Sequence, residues 1–379
     1  MTESDPGAQP RLARVQAVNV RVPFRRPLLD ATGEYTHRRS WLLRLVDGEG
    51  REGVGEAALN PFAADVTVDA LARLIREVVP ALAGGRLPVW PELAAEGEPG
   101  RAAMAAIDGA FGALLAALAG AAIPVSATIA FGGPEAGADA AAQAVELGFE
   151  TLKLRAGFER TSDQLVDRLR ALRAAVGPEP RLRIDAAGAW DLDTATERIA
   201  AIEPFRIEYV EQPLTAWDLT GHAALRGRVR VPIALDESID SEGSARAALA
   251  EGAADVIVIK PARVGGSAAT VRIVEAASAA GASAVLGTYF ETGVGIAAAL
   301  RIAATIQAPT AARGKGGRQS TGRAGDEPAH GLATAGLLVH DLLAVPLPIE
   351  NGRMAVPTAV ALDESEVDRY TLERFDVRG

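Results

Sequence analysis

The feature that most constrains this chain is a series of four charged residues, each closing a short apolar run, at a near-constant interval. Leu182-Arg183-Ile184 ends in Asp185, and Ile207-Glu208-Tyr209-Val210 ends in Glu211, followed by Gln212-Pro213. Pro232-Ile233-Ala234-Leu235 ends in Asp236-Glu237-Ser238, and Val256-Ile257-Val258-Ile259 ends in Lys260-Pro261. The steps between the charged positions are 26, 25 and 24 residues. That is the length of one strand and one returning helix, so each charge takes the same end of successive parallel strands. Parallel strands covered on both faces read as continuous apolar runs, and these do. One acid at a strand end is as well explained as a cap on the following helix. A whole series in register predicts that the strand ends converge on a site.

Three carboxylates at one barrel mouth repel one another unless a cation or a proton intervenes. Oxygen-only ligation, in a chain with no cysteine and with no histidine beside these positions, suits Mg²⁺ or Mn²⁺ and not zinc. Asp185, Glu211 and Asp236 are therefore the expected metal ligands. Lys260, one strand further on, has that cation beside it, which favours its neutral form and lets it act as a base. In the strand before Asp185, Lys153 and Arg155 lie two apart in Thr151-Leu152-Lys153-Leu154-Arg155 and so share one face, the barrel interior. Two inward cations call for an anion, and a small-molecule carboxylate substrate supplies it.

Taken together, Lys-x-Arg, Asp, Glu-Gln-Pro, Asp-Glu-Ser and Lys-Pro resemble the pattern of the enolase superfamily, muconate-lactonising subgroup, and within it the o-succinylbenzoate synthase family. Gly53-Val54-Gly55-Glu56-Ala57 resembles the turn that closes the N-terminal sheet of that family. Gly293 to Leu300 resembles the helix after the seventh strand, and Ala329-His330-Gly331-Leu332-Ala333-Thr334 the last barrel segment of the synthases. The resemblance spans nearly the whole chain. It implies a (β/α)7β TIM-like barrel with an α+β capping domain built from the N-terminal segment and the C-terminal tail. The expected division is 1–120, 121–336 and 337–379. It also implies a Mg²⁺-dependent carbon–oxygen lyase that removes a proton α to a carboxylate, in the manner of menaquinone biosynthesis. Lys260, Lys153 and Arg155 become the catalytic set, and Arg155, Thr288 and Gly331 the substrate side. Thr288 and Tyr289 also read as ordinary strand-end polar groups before a helix.

Two positions depart from the family pattern. The usual Asp-x-Asn is Asp185-Ala186-Ala187, which removes an amide that orders the site. The second lysine of Lys-x-Lys, the usual base, is Arg155, and arginine stays protonated at nearly any pH. One-base elimination survives that change, with Lys260, or in second place Lys153, moving the proton. Two-face epimerisation, the activity of N-acylamino acid racemases and dipeptide epimerases, does not. The acid pair with which dipeptide epimerases hold an ammonium is also missing from His330 to Thr334. A homologue that binds a metabolite without turning it over is the third reading. No histidine near the seventh strand supports a mandelate-racemase type of mechanism.

The rest of the chain bounds the setting. Its 379 residues, 49% hydrophobic, are enough for one barrel and a smaller domain. A net charge of −10 argues against nucleic acid as a partner. No apolar run reaches a membrane span, and the polar first residues are not a signal peptide, so a cytoplasmic enzyme is expected. A homo-oligomer is compatible with all of this. Ala13 to Val22 and Ser40 to Val46 read as antiparallel strands, and Pro23 to Arg39 as a long loop that shapes the pocket. Asp108, in an alanine-rich helix, reads as a polar contact under the barrel. Ile123 to Ile129 is the expected first barrel strand. Ala311 to Pro328, rich in glycine and arginine, reads as a surface loop.

Overall fold

The computed structural model describes residues 11–30, 33–87, 90–115, 121–129, 133–306 and 327–379. Alternating apolar residues place β1 (Leu12–Asp30) and β2 (Gly33–Asp47) as an antiparallel hairpin, to which β3 (Glu52–Ala58) adds on the β2 side. Pairing continues through most of Pro23–Arg39, which is therefore an extended hairpin arm and not a loop. The register breaks between Pro23 and Leu28, where two prolines remove ladder donors. The strand β3 also corrects the expectation of a turn at Gly53–Ala57. Its glycines serve close approach instead. A Cβ on Gly53 would lie 2.0 Å from the Ala110 carbonyl oxygen, and one on Gly55 1.9 Å from that of Ala106. The helices α1 (Asp65–Ala83), α2 (Trp90–Ala95) and α3 (Glu98–Leu115) cover this sheet, with Trp41, Leu43, Leu45, Ile75 and Ile107 in their shared core.

The chain then makes the short strand β4 (Ala122–Pro124) and enters the barrel at β5 (Ala127–Ile129). Strand and helix alternate as α4 (Pro134–Glu146), β6 (Thr151–Arg155), α5 (Ser162–Val176), β7 (Arg181–Asp185), α6 (Leu192–Ile202) and β8 (Ile207–Glu211). They go on as α7 (Leu219–Arg228), β9 (Ile233–Leu235), α8 (Glu242–Ala250), β10 (Val256–Ile259), the single turn α9 (Pro261–Val264), α10 (Ser267–Ala279), β11 (Ser283–Leu286) and α11 (Gly293–Thr305). Strands β5 to β11 lie in sequence order in one seven-stranded parallel sheet. The expected first strand Ile123–Ile129 is thus split in two. Its first half, β4, pairs antiparallel with the C-terminal hairpin β12 (Ile349–Glu350) and β13 (Arg353–Ala355).

Residues 329–331 close the ring. His330 N donates to Pro124 O at 2.8 Å, Ser126 N to His330 O at 2.9 Å, and Gly331 N to Leu286 O at 2.7 Å. The eighth barrel position is reduced to a bridge, and a buried side chain helps hold it. Arg183 Nη1 donates to Ala329 O at 2.8 Å while its Nε donates to Glu208 at 2.5 Å. After the barrel, α12 (Glu364–Tyr370) leads to β14 (Thr371–Arg378), which pairs with β1 and completes the order β14-β1-β2-β3. Both chain ends therefore build the cap on a (β/α)7β barrel.

Two carboxylates fasten cap to barrel through helix N-termini, where free N–H groups favour negative charge. Buried Glu56 on β3 accepts from Thr292 N at 3.0 Å, Thr292 Oγ1 at 2.6 Å and Gly295 N at 3.1 Å, and also from Ser40 Oγ at 2.7 Å. Asp108 on α3 accepts from Ser267 N and Oγ, both at 2.8 Å, at the start of α10. Among the described residues no helix is long and apolar enough to cross a membrane.

Candidate active site

The parallel register sets Arg155 beside Asp185 and Asp185 beside Glu211 at the ends of β6, β7 and β8. Asp236 and Lys260 directly follow β9 and β10. These acids do not cap the helices that follow them. Asp191 caps α6, Asp218 caps α7 and Ser241 caps α8, each accepting from a first-turn N–H. Freed from that duty, Asp185, Glu211 and Asp236 are buried at the barrel mouth with exposures of 3%, 1% and 4%.

Cations interleave with them. Lys153 Nζ lies 3.0 Å from Asp185 Oδ2 and 2.9 Å from Glu211 Oε1, while Arg155 Nη1 lies 3.0 Å from Asp185 Oδ2. Lys260 Nζ contacts Asp236 Oδ2, and Arg263 Nη1 is 3.8 Å from Asp236 Oδ1. The electrostatics follow from burial and neighbours. Burial acts to lower the Lys153 pKa, but Asp185, Glu211 and Asp236 outweigh it and hold the ammonium well above its ordinary value. For Asp185 burial opposes Lys153 and Arg155, which win and keep it ionised. Glu211 is pushed up to about 8 by burial and by the other two acids, with Lys153 opposing. Glu237 is pushed up to about 7, by burial first and then by Asp236.

The donor set fits a hard divalent cation: three carboxylates, with Asp236 Oδ1 buried and without a hydrogen-bond partner. Among the described residues, no three acidic or histidine side chains are closed around a common point as they stand. The reason is local: the Lys153 ammonium sits between Asp185 and Glu211 and supplies the positive charge.

Of the other expected residues, Thr288 is buried and bonds Thr334, hydroxyl to hydroxyl at 2.9 Å. Gly331 takes part through its backbone N–H. The structure gives a place at the site to three groups that sequence reading left without a role, and to Tyr289, which it read as a strand-end polar group. Gln212, at a left-handed φ of 40°, accepts from Asp236 N at 3.0 Å and Ser238 N at 3.2 Å, and donates to Ser238 Oγ at 2.9 Å. It locks the ends of β8 and β9 together. Arg263 donates to the Asp236 and Glu237 carbonyls at 3.2 and 2.6 Å. Glu237 leaves Oε2 buried and unpartnered. The Tyr289 ring centre stands 5.0 Å from Lys260 Nζ. One compositional signal was available: the chain holds three lysines, and two of them are Lys153 and Lys260. A cavity of about 210 Å³ in the cap is lined by Tyr35, His37, Arg39 and Asn60. None of the acid cluster borders it.

The site is thus a parallel barrel mouth with acids at the ends of successive strands and amines on either flank. This chain belongs to the enolase superfamily: residues 136–365 match the family described as Enolase C-terminal domain-like. It is 42% identical to o-succinylbenzoate synthase of Thermobifida fusca over 48% of its length, and spans 56% of that protein. It is 32% identical to N-succinylamino acid racemase of Thermus thermophilus, over 76% of this chain and 82% of the relative. In fold it is similar to muconate lactonizing enzyme of Pseudomonas fluorescens, with a TM-score of 0.78, 23% identity, and coverage of 95% of this chain and 100% of the other.

Proposed function

We propose that the protein is a divalent-cation-dependent dehydratase that removes the proton α to a substrate carboxylate. The fitting reaction is conversion of 2-succinyl-6-hydroxy-2,4-cyclohexadiene-1-carboxylate to 2-succinylbenzoate. The observation that carries it is the asymmetry of the flanks. Lys260 faces the cluster from β10, whereas the outer position of β6 is Arg155, paired with Asp185. A guanidinium fixes charge and does not shuttle protons.

In this reading Lys260 Nζ takes the C1 proton and the C–H electrons form the ring double bond. The C6–O bond breaks, and the departing hydroxide recovers that proton from the same face and leaves as water. Arg155 pairs with the anionic ends of the substrate in a fixed fork. Asp185, Glu211 and Asp236 would hold Mg²⁺ or Mn²⁺, which supplies fixed positive charge against the charge that builds on the carboxylate. Enolase-superfamily sites with a Lys or His base and Mg²⁺ are themselves one of the general patterns of acid–base tuning. The T. fusca synthase supports the reading at 42% identity.

A second reading, racemisation of N-acylamino acids, is favoured by the longer match to the Thermus racemase, with Lys153 as the second base. The test runs dehydration of the cyclohexadiene substrate beside deuterium exchange into N-succinylamino acids in D₂O. Water loss without fast exchange is expected. Rapid exchange with inversion at the α-carbon overturns the one-base reading.

A further inference from the structure

Lys260 has neighbours from outside the acid cluster, and they lead to the capping domain. Its ammonium stands 5.0 Å from the centre of the Tyr289 ring, within reach of a cation–π contact. Tyr289 is 5% exposed and is wedged among Ala58 of β3, Ala262 of α9 and Ala105 of α3. Its backbone is held as firmly as its ring. Tyr289 N donates to Glu291 Oε2 at 2.5 Å, and the next residue, Phe290, turns through a left-handed φ of 60°. Tyr289 O accepts from Arg38 Nη1 at 3.0 Å, from β2 of the cap. Phe24 of the same hairpin packs edge-on against Phe290 at 6.3 Å.

Arg38 is an expensive residue to keep here. It is 1% exposed, and its Nε and Nη2 have no hydrogen-bond partner. Its charge is balanced by the buried carboxylates of Glu56 and Glu291, which it faces without using most of its hydrogen-bonding capacity. The hydrogen bond that it makes to the Tyr289 carbonyl fixes the loop that carries the ring. We infer that Arg38, acting through Tyr289, sets where the Lys260 amine stands, so that the cap is a positioning part of the proton-transfer site. The functional half of this inference rests on Lys260 being the group that moves the proton; the positional half does not.

The test uses the full-length chain with Arg38→Met, Arg38→Gln, Tyr289→Phe, Tyr289→Leu and the double variant Arg38→Met/Tyr289→Leu. Because the chain has three lysines, reductive methylation read by mass spectrometry reports Lys260 cleanly, with Lys315 as reference in the same sample. Labelling of Lys260 is expected to rise several-fold in Arg38→Met and Tyr289→Leu and to stay at the wild-type level in Tyr289→Phe, which keeps the ring. The double variant should label no faster than Tyr289→Leu alone, since both act at one point. Turnover should fall ~10-fold in kcat in Arg38→Met, with KM unchanged, because a displaced reacting group costs rate before it costs binding.

If Arg38→Met fails to fold, Arg38→Gln, which retains a donor for the Tyr289 carbonyl, carries the same comparison with a smaller rise. Wild-type labelling in the Arg38 variants, or effects that multiply in the double variant, overturns the positioning role. Increased labelling with unchanged kcat overturns its functional half. If the wild-type protein shows no turnover of the cyclohexadiene, the proposed activity fails and labelling still decides the position of Lys260.

Discussion

Arg155 and Lys153 occupy one strand and one face, yet their chemistry differs: one holds charge permanently, and the other is kept charged by three acids. That leaves Lys260 as the amine for proton transfer. Lys260→Ala is expected to lower kcat by ~10²–10⁴-fold, whereas Arg155→Lys should keep or improve it; steady-state kinetics on the cyclohexadiene separates them. A large loss in Arg155→Lys would show that the guanidinium fork anchors the substrate. Glu211→Gln removes one charge from the expected metal triad and should weaken Mg²⁺ binding and abolish turnover. Calorimetric titration of the metal-free protein checks it, and undiminished affinity sinks the triad. Ala187 carries a different signature. It sits at φ 48°, where an L-residue other than Asn or Gly is strained by ~1–2 kcal/mol. Ala187→Asn should relieve part of that strain, raise the melting temperature and tighten metal binding. A lower melting temperature would mean that the loop has adapted to alanine.

Among the elements, the long hairpin is the one whose reach matters. It carries Phe24 into an antiparallel bridge with Leu338, and Val339 N donates to Pro23 O at 2.9 Å, so the arm is tied to the segment after the eighth barrel position. A cap element that meets the barrel rim here can select substrate without touching the metal ligands. Shortening the arm at its tip is expected to raise KM and leave Mg²⁺ affinity as it was, measured by kinetics and titration on the same preparation. Unchanged KM would reduce the arm to scaffolding. The helix caps support the same division of labour. Asp191, Asp218 and Ser241 satisfy the helix starts beyond the strand ends, which leaves the strand-end acids available for chemistry.

Over the whole molecule, burial of acids couples stability to pH. Glu211 is pushed up to about 8, and Glu237 and Glu291 to about 7, in each case by burial first, from an ordinary value of 4.5. Between that value and the raised one the folded state binds protons that the unfolded chain has released, so stability falls as pH rises. The depressed Asp185 and Asp236 act in the opposite sense and lower down: their contribution is present above about pH 4 and is lost as pH falls further. In EDTA the melting temperature should therefore decline from about pH 5 to about pH 8. Mg²⁺ should flatten the part due to Glu211, and Glu291→Gln the part that Mg²⁺ leaves. A melting temperature that is flat or rising across this window in EDTA rejects the account.

By itself the sequence determined the barrel and the place of its charges, because a strand-plus-helix repeat of about 25 residues fixes which end of each strand a residue occupies. Local pattern could not show that Pro23–Arg39 stays paired, since its prolines read as breakers while the partner strand and Leu338 supply the bonds. Nor could it show that Gly53 and Gly55 make room for α3. The links that join cap to barrel run between residues far apart in the chain: Arg38 to Tyr289 across 251 positions and Glu56 to Thr292 across 236. Such contacts depend on how two packed bodies meet, and no short-range period encodes that. Tertiary structure alone therefore decided what surrounds Lys260, and with it how a strand-end lysine is held in place.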